Sequence, residues 1–536
     1  MADGGVAAEH APTRAELRRS QHRRRRNRRL KIAGLVVGAL VLVIVGAGIG
    51  YVEYLNHEIG RVDVKHLQAT ATSGAEAQAQ NILLVGSTSR CALSTQNPAF
   101  GLCSQGVTGV NSDVVMVLHV DPDHHRLAIL SLPRDLFVPN ARTTGANKID
   151  AALFQGPDQL VAVIEEDFGI PIQHYVELNF DSFQGVVNAL GGIRMYFPMP
   201  LFDLESSLYI PNTGCQTLNG FQALAVVRAR HLQYKPPNVT TTDRYYWPQD
   251  PESDLSRIRR DHEFIRVLAS AVQKKGLANP ITDQQLVAAV APQLQVDSGL
   301  GLGEMVSLVL TFHSVNPGAA PQYTIPVQVH GGLDFYYQGY DYGSIEFPSQ
   351  PEDRRTIDQF LGVQANVDTM TGRALPRPQD IPMTVTSGTG LSSDATKAAS
   401  ALEGQGFDVL ATNTSYARSS PAETMVEYAN GSSSGEAAAQ EVASALTGPV
   451  VLDAVSASSL PAGAKVALLV GTGMGVTTPA GVTPTTTTTT TGSGYGYGTT
   501  TTTAPTSGSL STPTAATESL AAFDPRSCTA AGGEGP

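Results

Sequence analysis

The stretch that most restricts this chain is Ile32–Val52, IAGLVVGALVLVIVGAGIGYV, 21 residues without a charge. At about 1.5 Å per residue a helix of that length reaches roughly 30 Å, one hydrocarbon thickness. It exceeds the apolar core of a cleavable signal, and no A-x-A site follows closely. Arginines 23–26, 28 and 29 stand directly before it, so the positive-inside rule puts the N-terminus in the cytoplasm. The expected layout is a basic cytoplasmic tail over 1–31 and a transmembrane helix over 32–54. Everything beyond then lies outside, in a protein that crosses the cell membrane once. Ten Arg or Lys against three Asp or Glu before Ile32 give that tail +7 of the formal net charge of -12, leaving -19 for the remainder. A basic run alone would suit nucleic acid. Set against a membrane span it marks the inner face, and no nucleic-acid partner is expected.

With 536 residues, of which 42% are apolar, the chain holds more than one packed domain. Residues 55–80 read as a polar, Ala/Gln-rich stalk. Short β-like runs follow at Ile82–Gly86, Val114–Val120, Leu127–Leu132 and His174–Asn179, with helical patterns at Pro157–Phe168 and Ser182–Ala189. Further helices are expected over 282–293, 301–313 and 352–362. Strands alternating with helices argue for an α/β or α+β sheet domain with helices packed on it. All four cysteines fall on the outer side, where disulfides are permitted. Cys91 and Cys103 bracket a Pro/Gly-containing loop and are expected to pair. Cys215 and Cys528 either pair, tying the tail to the first domain, or stay free. Without C-x-x-C or H-E-x-x-H, a zinc site has little support.

Basic side chains recur in two runs, GCQTLNGFQALAVVRARH (Gly214–His231) and DLSRIRRDHEF (Asp254–Phe264). In the first, Leu218, Phe221, Leu224, Ala225 and Val227 follow helical spacing, so a partly buried helix ends at Arg228 and Arg230. In the second, Ser253 is the expected N-cap, and Arg257 and Arg260, three apart, are expected to share a face. Planar guanidinium forks suit phosphate oxygens. Two surface helices whose arginines pair with Asp and Glu would produce the same spacing. Between the runs, Leu232–Ser253 is rich in proline and carries Arg244, Tyr245, Tyr246 and Trp247. It reads as a lid or acceptor-binding loop, or as a loop packed on its own domain.

The ordered string NILLVGSTSR (Asn81–Arg90), NSDVVMVLHVD (Asn111–Asp121), LAILSLPRDLFVP (Leu127–Pro139), NKIDAA (Asn147–Ala152) and the two arginine runs resembles the LytR-CpsA-Psr family. The resemblance implies a catalytic domain over 81–363 with a central mixed β-sheet flanked by helices. It also implies a membrane-anchored, extracytoplasmic phosphotransferase. Such a protein holds a polyprenyl-pyrophosphate-linked glycan, its prenyl tail in an apolar tunnel, and transfers the glycan phosphate to peptidoglycan. A pyrophosphatase side activity would accompany it. By motif, Arg134, Arg228 and Arg257 become the catalytic pyrophosphate ligands. Arg90, Lys148, Arg230, Arg260 and Asp261 become substrate-binding residues, and Asp113 a ligand of Mg²⁺ or Mn²⁺. Three positions depart from the family pattern: Thr88 where a second metal-binding Asp is expected, Asn111 for Arg, and Asp261 for Gln. Threonine is a weaker Mg²⁺ ligand than a carboxylate. A non-catalytic scaffold that binds polyprenyl phosphate or wall material is therefore the alternative, followed by a membrane-bound transcriptional regulator.

Past a Pro/Arg-rich linker over 364–380, residues 381–475 read as a small α/β unit resembling the C-terminal module often attached to such proteins. GTGMG at 471–475 is rejected as a dinucleotide site, because Val476–Pro479 cannot begin the required helix. Residues 476–536, with TTTTTTT and GYGYG, cannot bury enough apolar surface to fold and read as a disordered tail. The Ala/Gly/Thr/Pro-rich composition points to an actinobacterial source, with arabinogalactan as the expected glycan.

Overall fold

QNILLVGS and SDVVMVLHVD carry continuous apolar runs, the pattern of strands covered on both faces. In the computed structural model they are the centre of the sheet. Described are residues 53–54, 57, 59–70, 79–88, 91, 102–106, 109–251, 254–276, 290, 294–301, 303–305, 320–330, 334–413, 421–477 and 520–528. The expected membrane span, the basic tail, Arg90 and Ser253 lie outside them. So do most of the expected helices over 282–293 and 301–313, and residues 478–519. Among the described residues no helix is long and apolar enough to cross a membrane. The chain divides into residues 1–58 and a compact unit from Ile59 onward, and all that follows concerns the second.

That unit is α+β. Its first sheet is built from β1 (Gly60–Val62), β2 (Gln80–Ser87), β3 (Ser112–Asp121), β4 (Arg126–Ser131), β5 (His174–Leu178), β6 (Gln295–Asp297) and β7 (Gln322–Thr324). The order is β1-β6-β5-β2-β3-β4-β7. β2 pairs antiparallel with β3 and parallel with β5, so the sheet is mixed. One expectation changes here. The supposed stalk supplies an edge strand, β1, parallel to β6, and Ile59 and Val64 are buried beside it.

Successive side chains of a strand point to opposite faces, and this splits the packing. Leu83, Val85, Val115 and Val117 face a core closed by Leu160, Val161 and Ile164 of helix α1 (Pro157–Phe168). On the other face three helices cover the sheet: α2 (Phe180–Ala189), α3 (Gly220–Arg228) and α4 (Asp254–Gly276). α3 begins with a capping box in which the Asn219 side chain accepts from the Gln222 backbone and the Gln222 side chain accepts from Asn219. Such a cap meets two of the orphan donors of a short helix.

β8 (Val327–Val329) and β9 (Glu346–Gln350) lead to α5 (Glu352–Leu361) and then to the second module. Its elements are β10 (Pro382–Ser387), α6 (Ser392–Gly404), β11 (Asp408–Asn413), β12 (Thr424–Ala429), α7 (Ser433–Ser444), β13 (Leu446–Val455) and β14 (Val466–Val470). β9 pairs with β13, so one sheet of order β8-β9-β13-β12-β14-β10-β11 runs from the first domain into the second. GTGMG ends in a short strand, Gly475–Val476, laid against β13. The tail also differs from expectation. Arg526–Ser527 adds a strand to the pair formed by Ile193–Phe197 and Gly214–Leu218. Both cysteine pairs are bonded, Cys91 to Cys103 and Cys215 to Cys528.

Candidate active site

In an antiparallel pair the end of one strand meets the start of the next. The end of β2, the start of β3 and the end of β4 therefore meet at one edge, and β5, parallel to β2, brings the start of α2 there. A register shift between Gly86 and Ser87 interrupts the β2–β3 pairing, the kind of bulge that re-aims side chains at a sheet rim. Beyond it, the Thr88 hydroxyl accepts from the Asn111 N–H at 3.0 Å and donates to its carbonyl at 3.2 Å. Asp113, the second residue of β3 and just past this clamp, is left at the rim.

A cavity of about 230 Å³ opens at that rim. The sheet contributes Leu84, Val114 and Met116 to its walls. Helices contribute Phe183 and Val187 from α2, Leu224 and Val227 from α3, and Phe264, Ile265 and Leu268 from α4. Its polar rim carries Asp113, Arg228, Arg257 and Asp261. Arg228 ends α3, where a cation also suits the negative end of the helix dipole, and its Cζ lies 4.7 Å from the centre of the Phe180 ring. Arg257 donates from Nη2 to the Asp113 carbonyl at 2.8 Å and lies 3.9 Å from Asp261, one turn further along α4. An apolar hole whose rim is guanidinium and carboxylate suits an amphiphile with an anionic head.

Next to the rim stands a knot of charge. Arg134 pairs with Asp113 through Nη1 and lies 3.6 Å from Asp135 through Nε. Lys148 Nζ reaches Asp135 at 2.7 Å and Arg230 Nη2 reaches it at 3.3 Å. Asp135, 8% exposed at its side chain, is thus the hub that lets three cations converge. Beside it is Asp150, whose Oδ2 accepts from the Asn111 side chain at 3.4 Å. Burial pushes the Asp150 carboxyl up to about 7, opposed by Arg134 and Lys148 and reinforced by Asp135 and Asp113. Arg134, Lys148, Arg228, Arg230 and Arg257 set five positive charges against the carboxylates of Asp113, Asp135 and Asp261. The balance is two positive (5 − 3) while Asp150 holds its proton. The sequence offers Asp135 only as a neighbouring salt-bridge partner of Arg134, which SLPRDLF places next to it, and does not single out Asp150, although it lies inside the quoted motif NKIDAA.

Arg260 parts from the arginine cluster. It is 1% exposed, and its guanidinium is held by Asp250 at 3.0 Å, by Asp524 at 3.5 Å and by the Ala229 carbonyl. Three residues along a helix turn a side chain by about 60°, enough to send Arg257 to the cavity and Arg260 into the protein. The expectation that the two share a ligand-facing surface fails on that angle. The loop Leu232–Asp250 packs on its own domain. Trp247 is buried, Arg244 lies over Phe202 and Tyr209 at 4.5 and 4.7 Å, and Tyr245 and Tyr246 stay exposed.

The divalent ion implied by the resemblance can be tested on the donors present. Among the described residues no three His, Cys, Asp or Glu side chains are grouped to hold a metal. Thr88 has its hydroxyl on the Asn111 backbone, and Asp113 supplies one carboxylate at the rim. Mg²⁺ is commonly bound by one or two carboxylates, with phosphate oxygens and water completing its octahedron. The donor set fits an ion that arrives with a diphosphate.

Comparison with known proteins gives two family matches: the LytR_cpsA_psr family over residues 54–349 and the LytR cell envelope-related transcriptional attenuator family over 380–473. A Corynebacterium glutamicum protein named probable cell wall biosynthesis protein LcpB is 30% identical over 306 residues, 56% of this chain and 66% of its own, just under two thirds. An Oceanobacillus iheyensis protein named polyisoprenyl-teichoic acid–peptidoglycan teichoic acid transferase TagU is 27% identical over 46% of this chain and 71% of its own. Among solved structures, a LytR-Csp2A-Psr enzyme from Actinomyces oris is similar at 22% identity and a TM-score of 0.43, covering 56% of this chain and 95% of that one.

Proposed function

This chain belongs to the LytR-CpsA-Psr family, and from that premise we propose that it is a membrane-anchored, extracytoplasmic phosphotransferase. It moves a glycopolymer from a polyprenyl-pyrophosphate carrier to peptidoglycan. The observation that carries this reading is the apolar cavity ending at Arg228, Arg257 and Asp113, with Arg134, Lys148 and Arg230 beside it. Prenyl carbons fit the greasy interior and a diphosphate fits the basic rim. The names of the two relatives, one in cell wall biosynthesis and one a teichoic acid–peptidoglycan transferase, support the same class of reaction. The 21-residue apolar run supports the anchor, and the composition supports arabinogalactan as the glycan.

Phosphoryl transfer asks little covalent chemistry of a protein; positioning and charge neutralisation do most of it. The acceptor hydroxyl oxygen bonds to the glycan-bearing phosphorus while that phosphorus loses the bridging oxygen. Polyprenyl monophosphate leaves and the hydroxyl proton goes to solvent. Arg228 and Arg257 neutralise the diphosphate at the cavity mouth, and Arg134 holds the non-bridging oxygens from the β4 end. Asp135 keeps Arg134, Lys148 and Arg230 together, which in its absence would repel one another. Asp113 would hold Mg²⁺ or Mn²⁺ jointly with the diphosphate, and the ion would supply further neutralisation of the leaving group.

The test uses the full chain in detergent with geranylgeranyl pyrophosphate. Arg134→Ala removes a charge-assisted contact and is expected to weaken binding by about tenfold or more. Prenyl-linked donor, peptidoglycan and Mg²⁺ are then combined and covalent glycan transfer is measured. Equal affinity in the variant and the wild type defeats the site, whereas tight binding without transfer identifies a wall-binding scaffold.

A further inference from the structure

Residues 520–528 reach the arginine helix from far along the sequence. Arg526 and Ser527 pair with Tyr196 and Met195. Phe523 stacks on Tyr234 with ring centres 4.2 Å apart and planes 13° apart. The Ser527 N–H donates to Glu263 of α4 at 2.7 Å. These contacts seat the fully buried Asp524 carboxylate on α4. There it accepts from Arg259 Nε at 2.8 Å and from Arg260 Nη1 at 3.5 Å.

Arg260 carries the matter to the site. Its Nη1 also donates to Asp250 at 3.0 Å, and its Nη2 donates to the carbonyl of Ala229. Ala229 lies between Arg228, on the cavity rim, and Arg230, on the Asp135 hub. A buried guanidinium keeps its place only while its charge is matched and its donors are met. Among the described residues Asp524 meets both Arg259 and Arg260, and Asp250 meets Arg260. Without Asp524 the Arg260 guanidinium keeps Asp250 but loses its other carboxylate, and the fork that grips Ala229 is drawn toward Asp250.

We propose that Asp524 is a positioning residue of the pyrophosphate site, holding Arg260 on the Ala229 carbonyl and thereby fixing where Arg228 and Arg230 point. This rests on the reading of the site as a pyrophosphate site. The alternative is a strap that adds stability and nothing else.

The experiment takes the full chain in detergent with both disulfides formed. It measures geranylgeranyl pyrophosphate affinity and backbone hydrogen exchange over residues 226–232. Asp524→Asn is expected to weaken binding about tenfold, the order of one displaced charged hydrogen bond. It is also expected to speed exchange at Ala229 and His231, with exchange in α1 and α7 unchanged. Asp524→Glu, which restores the charge, recovers most of both. Arg260→Lys keeps the charge but loses the fork, so it weakens binding to a similar degree even if the asparagine variant does not fold. Wild-type affinity in either Asp524→Asn or Arg260→Lys overturns the proposal. Faster exchange in every element of Asp524→Asn, with Arg260→Lys unaffected, leaves only a strap and overturns it too. If the wild type fails to bind the lipid while Asp524→Asn still loosens 229–231 selectively, the pyrophosphate reading fails and the positioning role stands.

Discussion

At Asp150 burial and charge work against each other. The carboxyl is buried at the meeting of Arg134, Lys148, Asp113 and Asp135, and it titrates at about 7 rather than near 3.8. Below that value it is neutral and the neighbouring cations act on the ligand undiminished. Above it, the new negative charge offsets one of them. Affinity for geranylgeranyl pyrophosphate, expressed relative to Asp150→Asn, is therefore expected to fall as pH rises from about 6 to about 8. The ligand's own titration cancels in that ratio, and parallel curves for the two proteins would show that Asp150 does not titrate there. Single residues were legible in the sequence when a motif carried them, as with Arg228, Arg257 and Asp113, which the structure brings to one rim, and Arg134, which stands beside it on Asp113. Arg260 was not, since spacing along a helix gives an angle without saying what lies at that angle. Its partners Asp250 and Asp524 are 10 and 264 positions away.

On the scale of elements, α4 does two jobs with one turn between them. Arg257 and Asp261 face the rim, while Phe264, Ile265 and Leu268 line the cavity behind it. Head and tail recognition should thus be separable. Ile265→Trp fills part of a cavity of about 230 Å³ and is expected to weaken geranylgeranyl pyrophosphate several-fold while leaving inorganic pyrophosphate affinity unchanged. Equal losses for both ligands in a calorimetric titration would mean that the cavity does not take the chain. Elements with a full period of apolar residues were readable: Pro157–Phe168 was expected and found with the same bounds. Gly60–Val62 was not, being three residues of an edge strand in polar surroundings. Leu446–Val455 also escaped, because Thr447, Gly448 and Pro449 break its apolar pattern; its second half pairs with Thr424–Ala429 of its own module and only Gly448 and Pro449 with the first domain.

Across the whole molecule, the seam between the two domains gathers carboxyl groups. Tyr428 donates to the Glu166 carbonyl at 3.2 Å, Arg354 donates to Gln440 at 2.7 Å, and Thr369 donates to the Gly169 carbonyl. Around these bonds burial pushes Glu165 up to about 7 and Glu436 up to about 8, with repulsion from Asp368, Glu165 and Glu166 adding to the latter. Burial raises Asp167 and Glu423 as well. An unfolded glutamate titrates near ~4.3, so between about pH 4 and 8 the folded chain keeps protons that the unfolded chain releases. Stability from these groups is full at the acid end and is lost as pH rises. His119 and His262, lowered by burial to about 4, oppose this below ~6.5. Melting temperature is therefore expected to rise as pH falls from about 8 to about 6.5, and Glu436→Gln to flatten that rise; a flat wild-type profile would contradict it. None of this seam was visible in the sequence, where its members are scattered from 165 to 440. The buried partner of Arg259 sits 265 positions downstream of it. Residues 520–528 must therefore leave the ribosome before Arg259 and Arg260 of α4 can meet the Asp524 carboxylate, so this contact is among the last that synthesis allows to close.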